Sequence, residues 1–159
     1  DNYYDADVLI INKYPGKAGA ALTNDIKVFR TSELYFIIAE SQAAAGDLAG
    51  ASSTLQSIRN ARRTFQPQPS YSSSQEAFKD ILDERRKELC FEGHRYIDLK
   101  RLGEAAGIAA NPIDRFARDC EFTGGACQRP LSDYRWTMPI PIEELNGNLV
   151  IRSQQNTGY

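Results

Sequence analysis

Apolar residues recur at helical spacing in two consecutive segments of the sequence. The first segment carries two apolar stripes, one with Leu34, Ile37, Ile38 and Ala45 and the other with Tyr35, Ala39 and Ala43. A helix that is apolar on two sides packs between neighbouring elements. We therefore predict a buried helix that begins after Arg30 and closes at Gly46.

A second helix is predicted directly after Gly46 and Asp47, which provide a C-cap and an N-cap. One face of it is traced by Leu48, Ala51, Leu55, Ile58 and Arg62. Because so short a turn makes the two helices antiparallel, we expect a helical hairpin. The hairpin resembles one tetratricopeptide unit of about 34 residues, whereas a free-standing solenoid needs roughly three units. Other helices, or chain outside this sequence, are expected to complete the stack.

A third helix is predicted from the capping-box pair Ser73 and Glu76, and it carries the charged segment 83–101. Arg85 and Glu92 fall on the apolar face that Phe78, Ile81, Leu82 and Leu89 define. Since a buried ion without a partner is strongly destabilising, we expect a partly buried network of ion pairs. Its expected members are Arg30, Glu33, Arg85, Glu88, Glu92 and Arg95.

The rest of the chain lacks strong periodicity. Residues before Arg30 read as irregular, a long loop follows Gly103, and the prolines of Met138–Pro141 favour an extended segment. A short helical turn from Ile142 to Leu145 and a polar tail close the sequence. We predict a mainly α fold, with a tetratricopeptide-like helical hairpin plus further helices, long irregular loops and an extended C-terminal segment.

Composition and charge exclude several classes of protein. The 159 residues fit one domain, residues 1–159, and the net charge of −2 comes from basic and acidic residues that are mixed along the chain. No basic face suited to nucleic acid is expected. No apolar run approaches the roughly 20 residues of a membrane-spanning helix.

The three cysteines are Cys90, Cys120 and Cys127. Between Cys120 and Cys127 lies a Gly-Gly pair that lets the backbone fold back, which predicts a small disulfide loop and an oxidising compartment. That loop is either the stapled rim of a binding surface or a stabilised loop tip. A metal site is not expected, because His94, the one histidine, is distant in sequence.

Glu84, Glu88 and Glu92 recur at every fourth residue and raise the alternative of a metal-dependent hydrolase. The Glu-x-x-His spacing of di-iron bundles is absent, and a glycosidase needs two carboxylates that face each other across a cleft. No nucleophile, phosphate-binding or dinucleotide-binding motif occurs. We expect no catalytic residue, no metal and no cofactor.

Four ordered blocks resemble the C-terminal half of SusD/RagB proteins. They are Lys13-Tyr14; Arg30–Tyr35 with Ala39-Glu40; Glu84–Leu89 with Glu92–Arg95 and Asp98-Leu99; and Pro139–Pro141 with Glu144, Asn148 and Gln155–Tyr159. Thr157 stands where the family usually has proline before the final Gly-Tyr.

The resemblance implies a non-catalytic lipoprotein of the bacterial outer membrane and cell surface. Such a protein captures glycans or other nutrients and passes them to a TonB-dependent transporter. It also implies an α-helical fold with tetratricopeptide-like hairpins. Family members are much longer, so we expect this chain to be a C-terminal fragment whose N-terminal part and lipid anchor lie outside it.

Sugar binding requires aromatic surfaces and polar side chains, which are usually presented on loops. The candidates in predicted loops are Tyr71, Asn111, Arg129, Tyr134 and Trp136. For Trp136 the alternative is that it anchors the extended segment onto the helices. An alternative for the whole chain is a tetratricopeptide-like scaffold that binds a protein and has no ligand site of its own.

Overall fold

Helices make up nearly all of the regular structure in the computed structural model, which describes residues 13–20, 23–62, 67–113, 115, 120 and 127–159. The α-helices are α1 (Thr31–Ala44), α2 (Leu48–Arg62), α3 (Ser74–Glu88), α4 (Arg95–Leu102) and α5 (Ile142–Gly147). Two 3-10 helices, η1 (Tyr134–Trp136) and η2 (Leu149–Gln154), complete the described elements. The predicted mainly α class is confirmed.

The chain divides into two compact units, Asp1–Arg30 and Thr31–Tyr159. Among its described residues the first unit contains an isolated antiparallel bridge between Lys17 and Ala20. The Gly16 amide donates to the Asn24 side chain at 2.9 Å, and Lys17 pairs with Asp25 at 2.7 Å. All helices described above belong to the second unit.

The predicted hairpin of α1 and α2 is confirmed. Gly46 adopts a φ of +79°, a left-handed conformation that favours glycine, and the Asp47 carboxylate accepts from the Gly50 amide at 2.8 Å. These caps end α1 and begin α2. The pair packs with α3 around a core of Phe36, Ala39, Ala43, Ala51, Leu55, Ile58, Ala77, Ile81 and Leu89.

Burial of α1 on two sides is not observed within the described part of the chain. Phe36, Ala39 and Ala43 are buried against α2 and α3, whereas Leu34, Ile37 and Ile38 remain 48–60% exposed. The stripe of Leu34, Ile37 and Ile38 is therefore not covered by the helices that pack on Ala39 and Ala43. Phe36 was missing from the predicted stripes although it is fully buried.

The charged segment 83–101 forms two helices rather than the single helix expected. At the start of α3, Ser73 Oγ accepts from the Glu76 amide at 3.2 Å, as the capping-box pattern predicts. The helix ends at Glu88, and the chain turns through Phe91 (φ +64°) and Gly93 (φ +84°) before α4 begins. The turn lets α4 form a second core with Leu82, Leu99, Leu102, Ala106 and Trp136.

The C-terminal segment is extended only up to Pro141, and α5 follows where a helical turn was predicted. A 3-10 helix that was not predicted, η2, lies between α5 and the polar tail, and at its start Asn148 Oδ1 accepts from the Val150 amide at 3.1 Å. The Gln155 side chain then exchanges hydrogen bonds with both backbone groups of Ile140, at 2.8 and 3.1 Å. This pairing fastens the end of the chain to the proline-rich segment. No helix in the described ranges is long and apolar enough to cross a membrane.

Candidate functional site

A groove of about 460 Å³ lies between α4 and the loop that leads to Trp136. Its volume falls within the 300–1,000 Å³ that is typical of small-ligand sites. The lining residues are Arg95, Tyr96, Leu99, Ile113, Arg115, Cys127, Arg129, Arg135 and Trp136. Of the five predicted ligand-binding residues, the structure brings Arg129 and Trp136 together here.

Trp136 forms the base of the groove and is 6% exposed. Its ring stacks on Tyr96 with 5.5 Å between centroids and 20° between planes. Its Nε1 donates to the Arg129 carbonyl at 3.3 Å, and the Tyr96 hydroxyl donates to the Trp136 carbonyl. With Lys100 Nζ also 5.5 Å from the Tyr96 ring centroid, both aromatic side chains are engaged in contacts within the protein. This geometry supports an anchoring role for Trp136.

Four guanidinium groups line the groove, and no acidic side chain is among its described lining residues. Arg135 donates to both carboxylate oxygens of Asp133, at 2.8 and 2.6 Å, and these bonds lower the pKa of Asp133. Arg95 is half-buried and donates to the Leu82 carbonyl at 3.3 Å. Burial and the neighbouring charge of Arg86 lower the pKa of Arg95.

The other predicted ligand-binding residues lie outside the groove lining. The Tyr71 hydroxyl donates to Asp80 at 2.8 Å, and burial followed by this bond raises the pKa of Tyr71 well above its usual value. Asn111 is exposed in the loop after α4. Tyr134 packs edge to face against Tyr159, with 5.1 Å between ring centroids.

Cys120 and Cys127 form a disulfide with a Cα–Cα distance of 5.0 Å. Residues 121–126, which include the Gly-Gly pair, lie outside the described residues. Because Cys127 lines the groove, the disulfide constrains one of its edges.

The buried ion network expected on the third helix has different partners. Arg85 lies between two carboxylates, Asp98 at 2.8 Å and Glu40 at 3.4 Å, and its guanidinium stacks 5.3 Å from the Phe36 ring centroid. Arg101 contacts the same two carboxylates, with 2.9 Å to Asp98. The four charges therefore join α1, α3 and α4.

Glu88 pairs with Arg62 of α2 at 3.0 Å, and Glu33 lies 3.7 Å from His94. Arg95 donates to the Leu82 backbone carbonyl and lines the groove, so it is not a member of the ion network that Arg85 forms. Glu92 is half-buried in the turn before α4. Arg30 belongs to the first compact unit.

A second set of charges, which was not predicted from the sequence, joins α2 to α3. Arg59 pairs with Asp80 at 2.6 Å and with Glu84 at 3.0 Å. Glu84 is therefore engaged in a helix-to-helix ion pair. Across the described ranges, no three His, Cys, Asp or Glu side chains are grouped so that they could hold a metal ion.

The SusD family model matches residues 10–159 of the chain. The chain belongs to the SusD family. A curated family member, SusD-like protein P25 from Formosa agariphila, is 32% identical over 139 residues, which is 83% of this chain and 24% of that protein. The chain thus spans about a quarter of the length of that relative, and no solved structure matches it at a comparable level. SusD-family proteins are generally non-catalytic and bind glycans in nutrient uptake.

Proposed function

We propose that this chain contributes to glycan capture at the cell surface, in a non-catalytic lipoprotein that feeds a TonB-dependent transporter of the outer membrane. The family match over residues 10–159 carries the proposal. The groove between α4 and Trp136 supports it, because its volume and its mixed apolar and charged lining suit a small polar ligand.

Calorimetry with the full natural protein that contains this chain tests the proposal. The titrants are a panel of neutral and charged oligosaccharides, together with peptides. Uniform absence of oligosaccharide binding would contradict a capture role.

A groove-filling variant locates the site. Ile113→Trp places a bulky ring in the groove lining and is expected to weaken binding, whereas Ile97→Trp on the exposed side of α4 is a matched control. Equal affinities for the two variants would place the ligand elsewhere.

A second candidate function is a tetratricopeptide-like scaffold that binds a protein. The exposed stripe of Leu34, Ile37 and Ile38 on α1 favours it, because an apolar helix face of this kind is suited to burial by another chain. The protein partner we propose for that face is the TonB-dependent transporter.

Capture of the transporter by the full natural protein, run beside the oligosaccharide panel, separates the two candidates. A scaffold without a ligand site retains the transporter and ignores the sugars. Binding of both supports glycan capture.

A further inference from the structure

The groove between α4 and Trp136 has an unusual concentration of positive charge for a chain whose net charge is −2. Arg95, Arg115, Arg129 and Arg135 all line it. Of these, Arg135 is neutralised by its paired hydrogen bonds to Asp133. Arg115 and Arg129 form no ion pair with any residue that the structure describes, although the charge of Arg129 helps to lower the pKa of Asp133.

Arg95 adds a third positive charge, and partial burial of this charge without an anion beside it is energetically unfavourable. Its side chain is half-buried, and its described hydrogen bond is to a neutral acceptor, the Leu82 carbonyl. Arg86 repels it, while Asp83 and Asp98 attract it from α3 and α4 without forming an ion pair with it. An anion in the groove would offset the desolvation of this guanidinium.

The aromatic side chains of the groove are poorly placed for sugar stacking. Trp136 is almost completely buried, and one face of Tyr96 is covered by it. Leu99 is only 2% exposed, so what the groove offers a ligand is guanidinium groups beside the partly exposed aliphatic side chain of Ile113. Guanidinium groups bind planar or tetrahedral oxyanions through paired, charge-assisted hydrogen bonds.

We infer that this groove binds the carboxylate or sulfate groups of an acidic oligosaccharide. The inference rests on the proposed glycan-capture function and specifies the ligand class of the same groove. Arg115 and Arg129 are the residues that contact the anion, and the aliphatic side chain of Ile113 contacts the sugar ring.

Matched pairs of ligands test the inference by calorimetry on the full natural protein. One pair is a galacturonic acid trimer and its methyl ester, and the other is a sulfated galactan tetrasaccharide and its desulfated form. The charged member of at least one pair is expected to bind about tenfold or more tightly than its neutral partner, since one charge-assisted hydrogen bond accounts for a factor of this size. The preference should shrink as salt rises from about 0.05 M to 0.5 M, because salt screens exposed charges.

Arg115→Gln and Arg129→Gln should each reduce the affinity for the charged ligand about tenfold and reduce the affinity for the neutral ligand by much less. Lys79→Gln is the control, since it removes one positive charge from an exposed position on α3 outside the groove. Circular dichroism verifies that each variant is folded, and Arg115 is exposed enough for substitution to leave the fold intact.

The possible results separate the inference from the proposed function. Neutral and charged members that bind equally well would overturn the inference and leave glycan capture standing. A preference for charge that neither arginine variant changes would overturn the assignment to this groove. If no oligosaccharide binds, both the inference and the proposed function are overturned. If an acidic peptide then binds in a way that depends on the two arginines, the ligand is a peptide and not an oligosaccharide.

Discussion

Replacement of Arg85 by alanine tests whether charge pairing between helices holds this fold together. The Arg85 side chain is 3% exposed and lies between Asp98, 4% exposed, and Glu40, 12% exposed. Its removal would leave these two carboxylates with one remaining guanidinium, that of Arg101, which is 37% exposed.

The magnitude follows from what remains after the substitution. Removal of one partner of a buried ion pair typically costs about 3–5 kcal/mol, because the other charge is left buried. Arg101 still contacts both carboxylates, so we expect the lower end of that range for Arg85→Ala, about 3 kcal/mol. Loss of the guanidinium contact with the Phe36 ring acts in the same direction.

Urea unfolding followed by circular dichroism measures the effect. Arg86→Ala is the matched control, since Arg86 is the next residue of α3, is 48% exposed and lies 4.0 Å from Asp83. Its loss should change the free energy of unfolding by about 0.5 kcal/mol or less, as for other surface pairs. Equal unfolding free energies for the two variants would refute the reasoning and show that the Arg85 charge is effectively solvated.

Four further predictions concern contacts described above. Glu88→Ala should lower the free energy of unfolding by only about 1 kcal/mol, because its partner Arg62 is 51% exposed and can be hydrated; a loss equal to that of Arg85→Ala would contradict this. Trp136→Ala should cost about 3–5 kcal/mol in urea unfolding, as expected for a buried aromatic ring, and a near-native midpoint would contradict the anchoring role. Reduction of the Cys120–Cys127 disulfide, whose sequence separation is 7, should cost about 2.5 kcal/mol by loop entropy, measured with and without reductant against a Cys127→Ser variant that reductant leaves unchanged. Because folding raises the pKa of Tyr71, its contribution to stability is complete below pH of about 10 and declines as pH rises further; Tyr71→Phe should flatten that decline, and an unchanged slope would contradict the assignment.

Periodicity predicted the helices well because it reports which side of a helix is apolar. Periodicity predicted the hairpin and the inward position of Arg85, and the capping-box pair predicted the cap at Ser73. The partners of Arg85 were not predicted, since Glu40 and Asp98 are 45 and 13 residues distant and only the packing of α1, α3 and α4 brings them together. Periodicity also could not show that the stripe of Leu34, Ile37 and Ile38 on α1 is left uncovered by the described helices.

The candidate site was predictable only in part. Arg129 and Trp136, which line the groove, were among the predicted residues because guanidinium and indole groups are common in ligand sites. Arg115 and Arg135 were missed because they lie in a region without periodicity, where sequence gives no guide to proximity. Tyr96 was missed because segment 83–101 was interpreted as one helix; the turn before α4 is what directs Tyr96 toward Trp136.

The residues that identify the family and the residues that line the groove have different physical roles. Glu40, Arg85 and Asp98 lie in the blocks that carry the family resemblance, and in the structure they form a buried network between helices. A change to any of them removes at least one ion pair from a buried charge, so the fold depends strongly on their identity.

Arg115 and Arg129 lie between those blocks, on the rim of the groove, where a change of charge has little effect on folding. The same scaffold can therefore support rims of different charge at nearly equal stability. Family membership consequently predicts the fold and the general class of function, whereas the ligand must be inferred from the groove of each member. For this chain, the chemistry of the groove favours an acidic ligand.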